Sequence, residues 1–261
     1  MCGIIGYVGF RQAWPIVLEG LQRLEYRGYD SAGAVILDQP NPLEFHRSVG
    51  KVENLVAALH GLSPKGQIGL GHTRWATHGK PTLANTHPHT DCSQRVAVVH
   101  NGIVENFLDL KEDLLSQGHT FTSETDSEII AHLIEEGLTK GEGFESAFTQ
   151  MTPRIRGANA IVAIWQEEHD KILAVRLGNA GGFAVAHQDG ETIIASDLPA
   201  LTSFSSEVAF LEDGEIVTAT SREVNFINQR GLSIPKRLYN IPQATEEVSK
   251  EGYQHFMLKE I

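Results

Sequence analysis

The chain opens Met1-Cys2-Gly3-Ile4-Ile5-Gly6-Tyr7-Val8-Gly9. From Cys2 onward this run is apolar and punctuated by glycine, the pattern of a buried strand that neighbouring backbone approaches closely. Its first member is a cysteine. Initiator methionines before small residues are often removed, and Cys2 would then be the amino terminus, holding a nucleophile and a base in one residue. The thiol would attack, and the α-amine, with a pKa of about 7.7–8.0, would take its proton. The plainer reading makes Cys2 a small hydrophobic residue at the head of a strand. On the catalytic reading, the mature active chain is expected to begin at Cys2.

The 261 residues suffice for one large domain or two small ones, and a hydrophobic share of 41% allows a sizeable core. A net charge of −12 argues against a nucleic-acid surface, which needs clustered Lys and Arg. No apolar run approaches the roughly 20 residues of a membrane span. The start lacks the basic and long apolar regions of a secretory signal. Two cysteines, Cys2 and Cys92, do not make a disulfide framework. These features predict a cytoplasmic, reduced setting, in which a thiol nucleophile survives.

Strand signals recur at 2–9, 32–37, 68–72, 96–100, 160–165, 172–176, 183–187 and 192–195. Helical faces are expected at Ile16–Leu24, with Pro15 in the first turn, and at 52–59, 107–115 and Ile129–Ile134. Thr122-Ser123-Glu124-Thr125 supplies capping residues for the last of these. Asp213-Gly214 predicts a hairpin between 208–211 and 215–219. Helices and strands come in blocks, which predicts an α+β fold with sheets packed face to face and helices outside. Residues 235–252 lose hydrophobic periodicity and have the character of a linker.

Four segments are dense in polar residues with no obvious packing role: 27–33 (Arg-Gly-Tyr-Asp-Ser-Ala-Gly), 72–79 (His-Thr-Arg-Trp-Ala-Thr-His-Gly), 100–106 (His-Asn-Gly-Ile-Val-Glu-Asn) and 123–126 (Ser-Glu-Thr-Asp). All but the last follow strand-like runs, where polar residues commonly line a cleft. Singly each has a modest explanation: Asn101-Gly102 as a tight turn, Asp126 as a helix cap, Arg74 as an ion-pair partner, Trp75 as a surface aromatic. With Cys2 they supply the parts for amide hydrolysis: nucleophile, base, oxyanion donors and a clamp for a zwitterion.

These segments resemble the glutaminase domains of class II glutamine amidotransferases, in the N-terminal-nucleophile hydrolase superfamily. Within that family the likeness is to the glutamine–fructose-6-phosphate aminotransferase type. It is carried by 1–6, Leu21 through Gly33, 72–79, 85–89, 98–106, 123–130 and the late tract 253–261, and so spans nearly the whole chain. The resemblance implies a four-layer αββα sandwich. It implies that Cys2 attacks the side-chain amide of glutamine, that Asn101 and Gly102 bind the oxyanion, and that Arg74 and Asp126 hold the α-carboxylate and α-ammonium. It also implies that Trp75, Thr77 and His78 contact substrate from a mobile loop, with Trp75 gating an ammonia channel. Arg27, Tyr29 and His87 are supporting candidates.

By the same resemblance, residues 1–240 form the glutaminase domain. Residues 241–261 lead toward sugar-phosphate isomerase domains that bind fructose 6-phosphate, in an enzyme expected to be a homodimer. No metal or cofactor is implied; the spacing of His87, His89, Asp91 and Cys92 could mimic a metal site, but short His/Cys clusters often match by chance. Residues 178–183, Gly-Asn-Ala-Gly-Gly-Phe, depart from the Gly-Ser-Pro-Leu segment of many members, so the loop there is expected to differ in shape. Two alternatives stay open: another class II amidotransferase, and a glutamine-binding module without turnover.

Overall fold

The structure, a computed structural model, describes residues 2–38, 40–76 and 79–241. Met1, Thr77, His78 and the tract 242–261 lie outside the described residues. Two antiparallel sheets carry the architecture. The first holds β1 (Gly3–Val8), β2 (Ser31–Leu37), β3 (Glu44–Val49), β4 (Ile68–Arg74), β9 (Ala184–Gln188), β10 (Glu191–Ala195), β11 (Glu207–Phe210) and β14 (Tyr239–Asn240), ordered β14-β11-β9-β10-β1-β4-β2-β3. The second holds β5 (His89–Thr90), β6 (Val96–Gly102), β7 (Asn159–Trp165), β8 (Ile172–Leu177), β12 (Glu215–Ala219) and β13 (Val224–Asn228), ordered β13-β12-β8-β7-β6-β5.

Side-chain alternation builds the layers. In β1, Ile4 and Val8 point between the sheets, and Ile5 and Tyr7 point outward. In β6, Ala97 and Val99 point between the sheets, and Val96 and Val98 outward. The outward face of the first sheet is covered by α1 (Ala13–Leu24) and α2 (Val52–Ala58). That of the second is covered by α3 (Phe107–Ser116), α4 (Glu128–Thr139) and α5 (Phe144–Met151). The result is the expected αββα sandwich, with three apolar layers separating four structural ones.

Several expectations are corrected. Asp213-Gly214 does not close a hairpin. It carries the chain from the first sheet to the second, because β12 pairs with β8 and β13 while β11 pairs with β9 and β14. Thr122 and Ser123 do not cap α4; both donate, through backbone and hydroxyl, to the carboxylate of Glu128. The linker-like stretch from 235 still contributes β14, and Ile241 is buried in the outer core of the first sheet. β3, α5 and β13 escaped the sequence reading: β3 is half-exposed and carries His46 and Arg47 in its middle, which blurs its period. Finally, β4 and β6 each run two residues further than expected, to Arg74 and Gly102. Those polar residues are therefore held by sheet pairing, Arg74 against Ser31 and Gly102 against Asn159.

Candidate active site

Cys2 stands at the head of β1, in the middle of the first sheet. Asn101 and Gly102 stand at the end of β6 in the facing sheet. The even-numbered residues of β1 and β4 and the odd-numbered residues of β6 face the inter-sheet layer. Carried past the apolar stretches, that alternation turns Cys2, His72, Arg74 and Asn101 toward one another at one end of the sandwich.

There the Cys2 Sγ accepts from the Trp75 N–H at 3.2 Å and reaches the Trp75 carbonyl at 3.6 Å. The side-chain amide of Asn101 donates to the Cys2 carbonyl at 2.9 Å. The other end of that amide, Oδ1, lies 3.1 Å from His72 Nε2, which is equally 3.1 Å from the His100 carbonyl. Both neighbours of Nε2 are acceptors, so Nε2 carries the proton. Burial pushes His72 down to about 3, so the ring is neutral at any physiological pH. A fixed N–H thus sets the rotamer of Asn101 and aims its NH2 group at Cys2.

The start of β1 is pinned from the other side. Ser196 Oγ accepts from the Ile4 N–H at 2.9 Å, and the Ser196 N–H donates to the Ile4 carbonyl at 3.0 Å. Beside it, Asp197 gathers the Tyr26 hydroxyl and the guanidinium of Arg27, whose Nε donates at 2.8 Å. The segment after β4 is latched as well. The Asp30 N–H donates to the Arg74 carbonyl at 3.0 Å, and Asp30 Oδ2 accepts from the Ala76 N–H at 2.8 Å. Gly28 permits this approach, since a Cβ there would lie 2.7 Å from the Arg74 carbonyl carbon. The Tyr29 ring stands edge-on to Trp75, centroids 5.5 Å apart.

These residues border a cavity of about 400 Å³ lined by Cys2, Arg27, Trp75, Asn101 and Gly102, together with Ser196 and the 179–182 loop. Burial raises the Cys2 thiol, while the Trp75 N–H and the charge of Arg74 pull it back; the net direction is up, so the thiol is protonated at neutral pH. Gly102 has φ of +141°, and a Cβ on it would meet the Ala158 carbonyl oxygen at 2.2 Å. Only glycine fits that position.

Other expected site residues are placed differently. Arg74 is buried behind the cavity, its guanidinium donating to the Gly79 carbonyl at 3.3 Å. Burial lowers its pKa; the opposing effects come from Cys2, Asp30 and Asp126. Asp126 is buried too and accepts from the Val104 N–H at 2.7 Å. Neither lines the cavity. Thr77 and His78 lie outside the described residues. His87 stacks in a buried row with His72 and His89, ring centroids 4.0 and 4.4 Å apart. The set His87, His89, Asp91 and Cys92 does not converge: Asp91 is occupied by the Arg95 and Val96 N–H groups, and His89 by Thr125.

Sequence reasoning missed Ser196, Asp197 and the positioning role of His72. The first two follow β10 directly, and His72 shares the inward parity of β4 with Arg74. Both signals were available from the period of two. The departure at 178–183 is one wall of the cavity: Gly181 accepts from Arg176 Nε at 2.7 Å, and the Gly178 N–H donates to Asp213 at 2.6 Å.

A model of the glutamine amidotransferase domain matches residues 51–255. The chain belongs to the glutamine amidotransferase family. Its relatives include the glutamine–fructose-6-phosphate aminotransferases of Thermococcus kodakarensis and Aquifex aeolicus. Each is 45% identical to this amidotransferase domain across 100% of its length and is covered over 43% of its own. The chain therefore spans less than half the length of these relatives. Among solved structures, the glutamine phosphoribosylpyrophosphate amidotransferase of B. subtilis superposes with a TM-score of 0.74 at 24% identity, over 87% of this chain and 49% of that one. A second, the allosteric regulatory enzyme of purine biosynthesis, reaches 0.76 over the same shares. At that identity the likeness concerns the fold alone.

Proposed function

We propose that this chain is the glutamine-hydrolysing part of a glutamine–fructose-6-phosphate aminotransferase. Residues 1–240 would form the hydrolytic domain, and 241–261 would lead toward sugar-phosphate isomerase domains that use the ammonia. The full enzyme would be a cytoplasmic homodimer. The observation that carries the reading is the thiol of Cys2 at the edge of a cavity, with the Asn101 amide brought to the same residue from the opposite sheet.

The following steps fit this arrangement. With Met1 removed, the α-amine of Cys2 takes the thiol proton as sulfur attacks the side-chain carbonyl carbon of glutamine. The tetrahedral intermediate places its negative oxygen against the Asn101 NH2 and the Gly102 N–H. Such donors are worth about 3–4 kcal/mol each in the transition state. The ammonium that formed on the α-amine then protonates the departing nitrogen, and ammonia leaves a glutamyl thioester. Water, deprotonated by the same amine, releases glutamate and restores the thiol. Arg74 and Asp126 would hold the α-carboxylate and α-ammonium, with Thr77 and His78 as further substrate contacts. Trp75 touches the sulfur through its backbone and lines the cavity, a position suited to shutting out water until ammonia has left.

The test is glutamate and ammonia release from glutamine by the chain beside Cys2→Ala, with 6-diazo-5-oxo-norleucine as a covalent probe. Turnover that vanishes in Cys2→Ala, with label on Cys2 alone, is expected. Equal turnover in the variant, or label elsewhere, overturns the reading.

A further inference from the structure

Cys92, far from Cys2 in sequence, has a set of partners of its own. It follows β5, in the turn that leads into β6. His119 follows α3, and His132 and Glu135 sit three residues apart on one face of α4. Cys92 Sγ lies 3.7 Å from His119 Nδ1 and 3.6 Å from His132 Nδ1. Glu135 Oε2 lies 2.9 Å from His119 Nδ1 and 3.1 Å from His132 Nδ1. All four ligand atoms fall within 4.8 Å of one another.

We infer that Cys92, His119, His132 and Glu135 form a tetrahedral zinc site that braces the β5–β6 turn and the α3–α4 connection onto α4. A zinc ion bound at about 2.3 Å to sulfur and about 2.0–2.1 Å to nitrogen and oxygen sets its ligand atoms about 3.3–3.6 Å apart. The sulfur–nitrogen separations already match that edge, and the nitrogen–oxygen ones are shorter by a few tenths of an ångström. The charges match too: a thiolate and a carboxylate with two neutral imidazoles balance a divalent cation.

The surroundings are those a ligand set requires. The Thr120 N–H and hydroxyl point at Cys92 Sγ, at 3.4 and 3.8 Å, and would steady a thiolate. With Nδ1 on the metal, the far nitrogen of His132, 3.8 Å from Glu128 Oε1, would present its N–H to a carboxylate, the usual outer partner of a zinc-bound histidine. Cys92 is exposed and borders a second cavity of about 450 Å³ that includes Thr120 and Glu128, so an ion can reach it. His132 is buried, so one side of the site is shielded.

The chain, stripped with a chelator, is titrated with zinc and with cobalt(II), and bound metal is measured alongside the absorption spectrum. One ion per chain is expected. Cobalt should produce the strong visible bands of a tetrahedral site and a thiolate-to-metal band in the near ultraviolet. Cys2→Ala should leave both intact, because that thiol takes no part. Cys92→Ser should abolish the near-ultraviolet band, and His119→Ala should weaken cobalt binding at least tenfold. A stripped chain that takes up no cobalt, a thiolate band that survives Cys92→Ser, or one lost in Cys2→Ala overturns the inference and leaves a hydrogen-bonded cluster.

Discussion

Acidification from pH 7 to pH 5 should cost this fold a calculable share of its stability. His72, His87, His89 and His100 are buried near the site, and burial lowers all four. His72 and His89 each come down to about 3. In the unfolded chain an imidazole titrates near ~6.5. Between those values the unfolded state holds a proton that the folded state refuses, so stability falls as pH falls through 6.5 and levels off only below 3. At pH 5 each such histidine costs about 2 kcal/mol relative to pH 7. The pair with defined values therefore costs about 4 kcal/mol, a large part of the ~5–15 kcal/mol that a folded protein commands. His132 acts in the opposite sense: burial lowers it, but its bonds to Glu128 and Glu135 outweigh that and raise it. It is one group against four. Urea unfolding at the two pH values reads the difference directly. His89→Gln, which can still meet Thr125, should remove about 2 kcal/mol of the pH-dependent loss. Stability at pH 5 within about 1 kcal/mol of that at pH 7, or an undiminished pH dependence in His89→Gln, would refute the argument.

Three further outcomes are expected at the site. His72→Phe should lower kcat about tenfold with little change in KM, while Asn101→Ala lowers it about 10²–10³-fold, and the double variant should be no worse than Asn101→Ala because both act on one donor. Gly102→Ala should lose about 1–3 kcal/mol of stability, read by urea midpoint, and most of its kcat; unchanged kcat would remove its N–H from the oxyanion site. Arg74→Ala should raise KM about tenfold to a hundredfold by removing a charged grip on substrate; an unchanged KM beside a raised one in Arg27→Ala would pass that role to Arg27, which borders the cavity.

Much of this architecture was legible in the strands. Runs such as 96–100 and 172–176 are too apolar for one-sided burial, which points to sheets covered on both faces. Helix α1 was placed by its apolar spacing, although its buried stripe runs Ala13, Trp14, Val17, Gly20, Leu21 and Leu24 rather than through Ile16 and Leu18. What failed were judgments that depend on partners distant in sequence. Asp213-Gly214 has hairpin chemistry, yet the strands on either side belong to different sheets, and no local signal says so. Cys92 looked like a companion of His87 and His89 by spacing. Alternation and the turn at Asp91 instead send it toward α4, where His132 and Glu135 are 40 and more residues away. Cys2 stood out by residue type, and Asn101 and Gly102 by resemblance, but His72 was legible only by extending the parity of β4 two places beyond its last aliphatic residue.

The destination of the thiol proton constrains the mechanism most tightly. Burial keeps sulfur protonated, so attack needs a base at hand. Among the described residues the polar contacts of Sγ are the backbone N–H and carbonyl of Trp75, neither of which takes a proton. His72 has its Nε2 proton fixed toward Asn101 and His100, and its pKa of about 3 makes it too weak a base. Asp30 receives the Ala76 N–H, and Arg74 is a cation. On the proposed mechanism that base is the α-amine of Cys2 itself, which is basic only when no residue precedes it. A chain expressed with a protease-removable segment ahead of Cys2 should therefore fold normally and release no ammonia from glutamine. Cleavage to expose Cys2 should switch hydrolysis on, with a rate that climbs through the amine titration near pH ~8. Equal rates before and after cleavage would mean that another base serves the thiol.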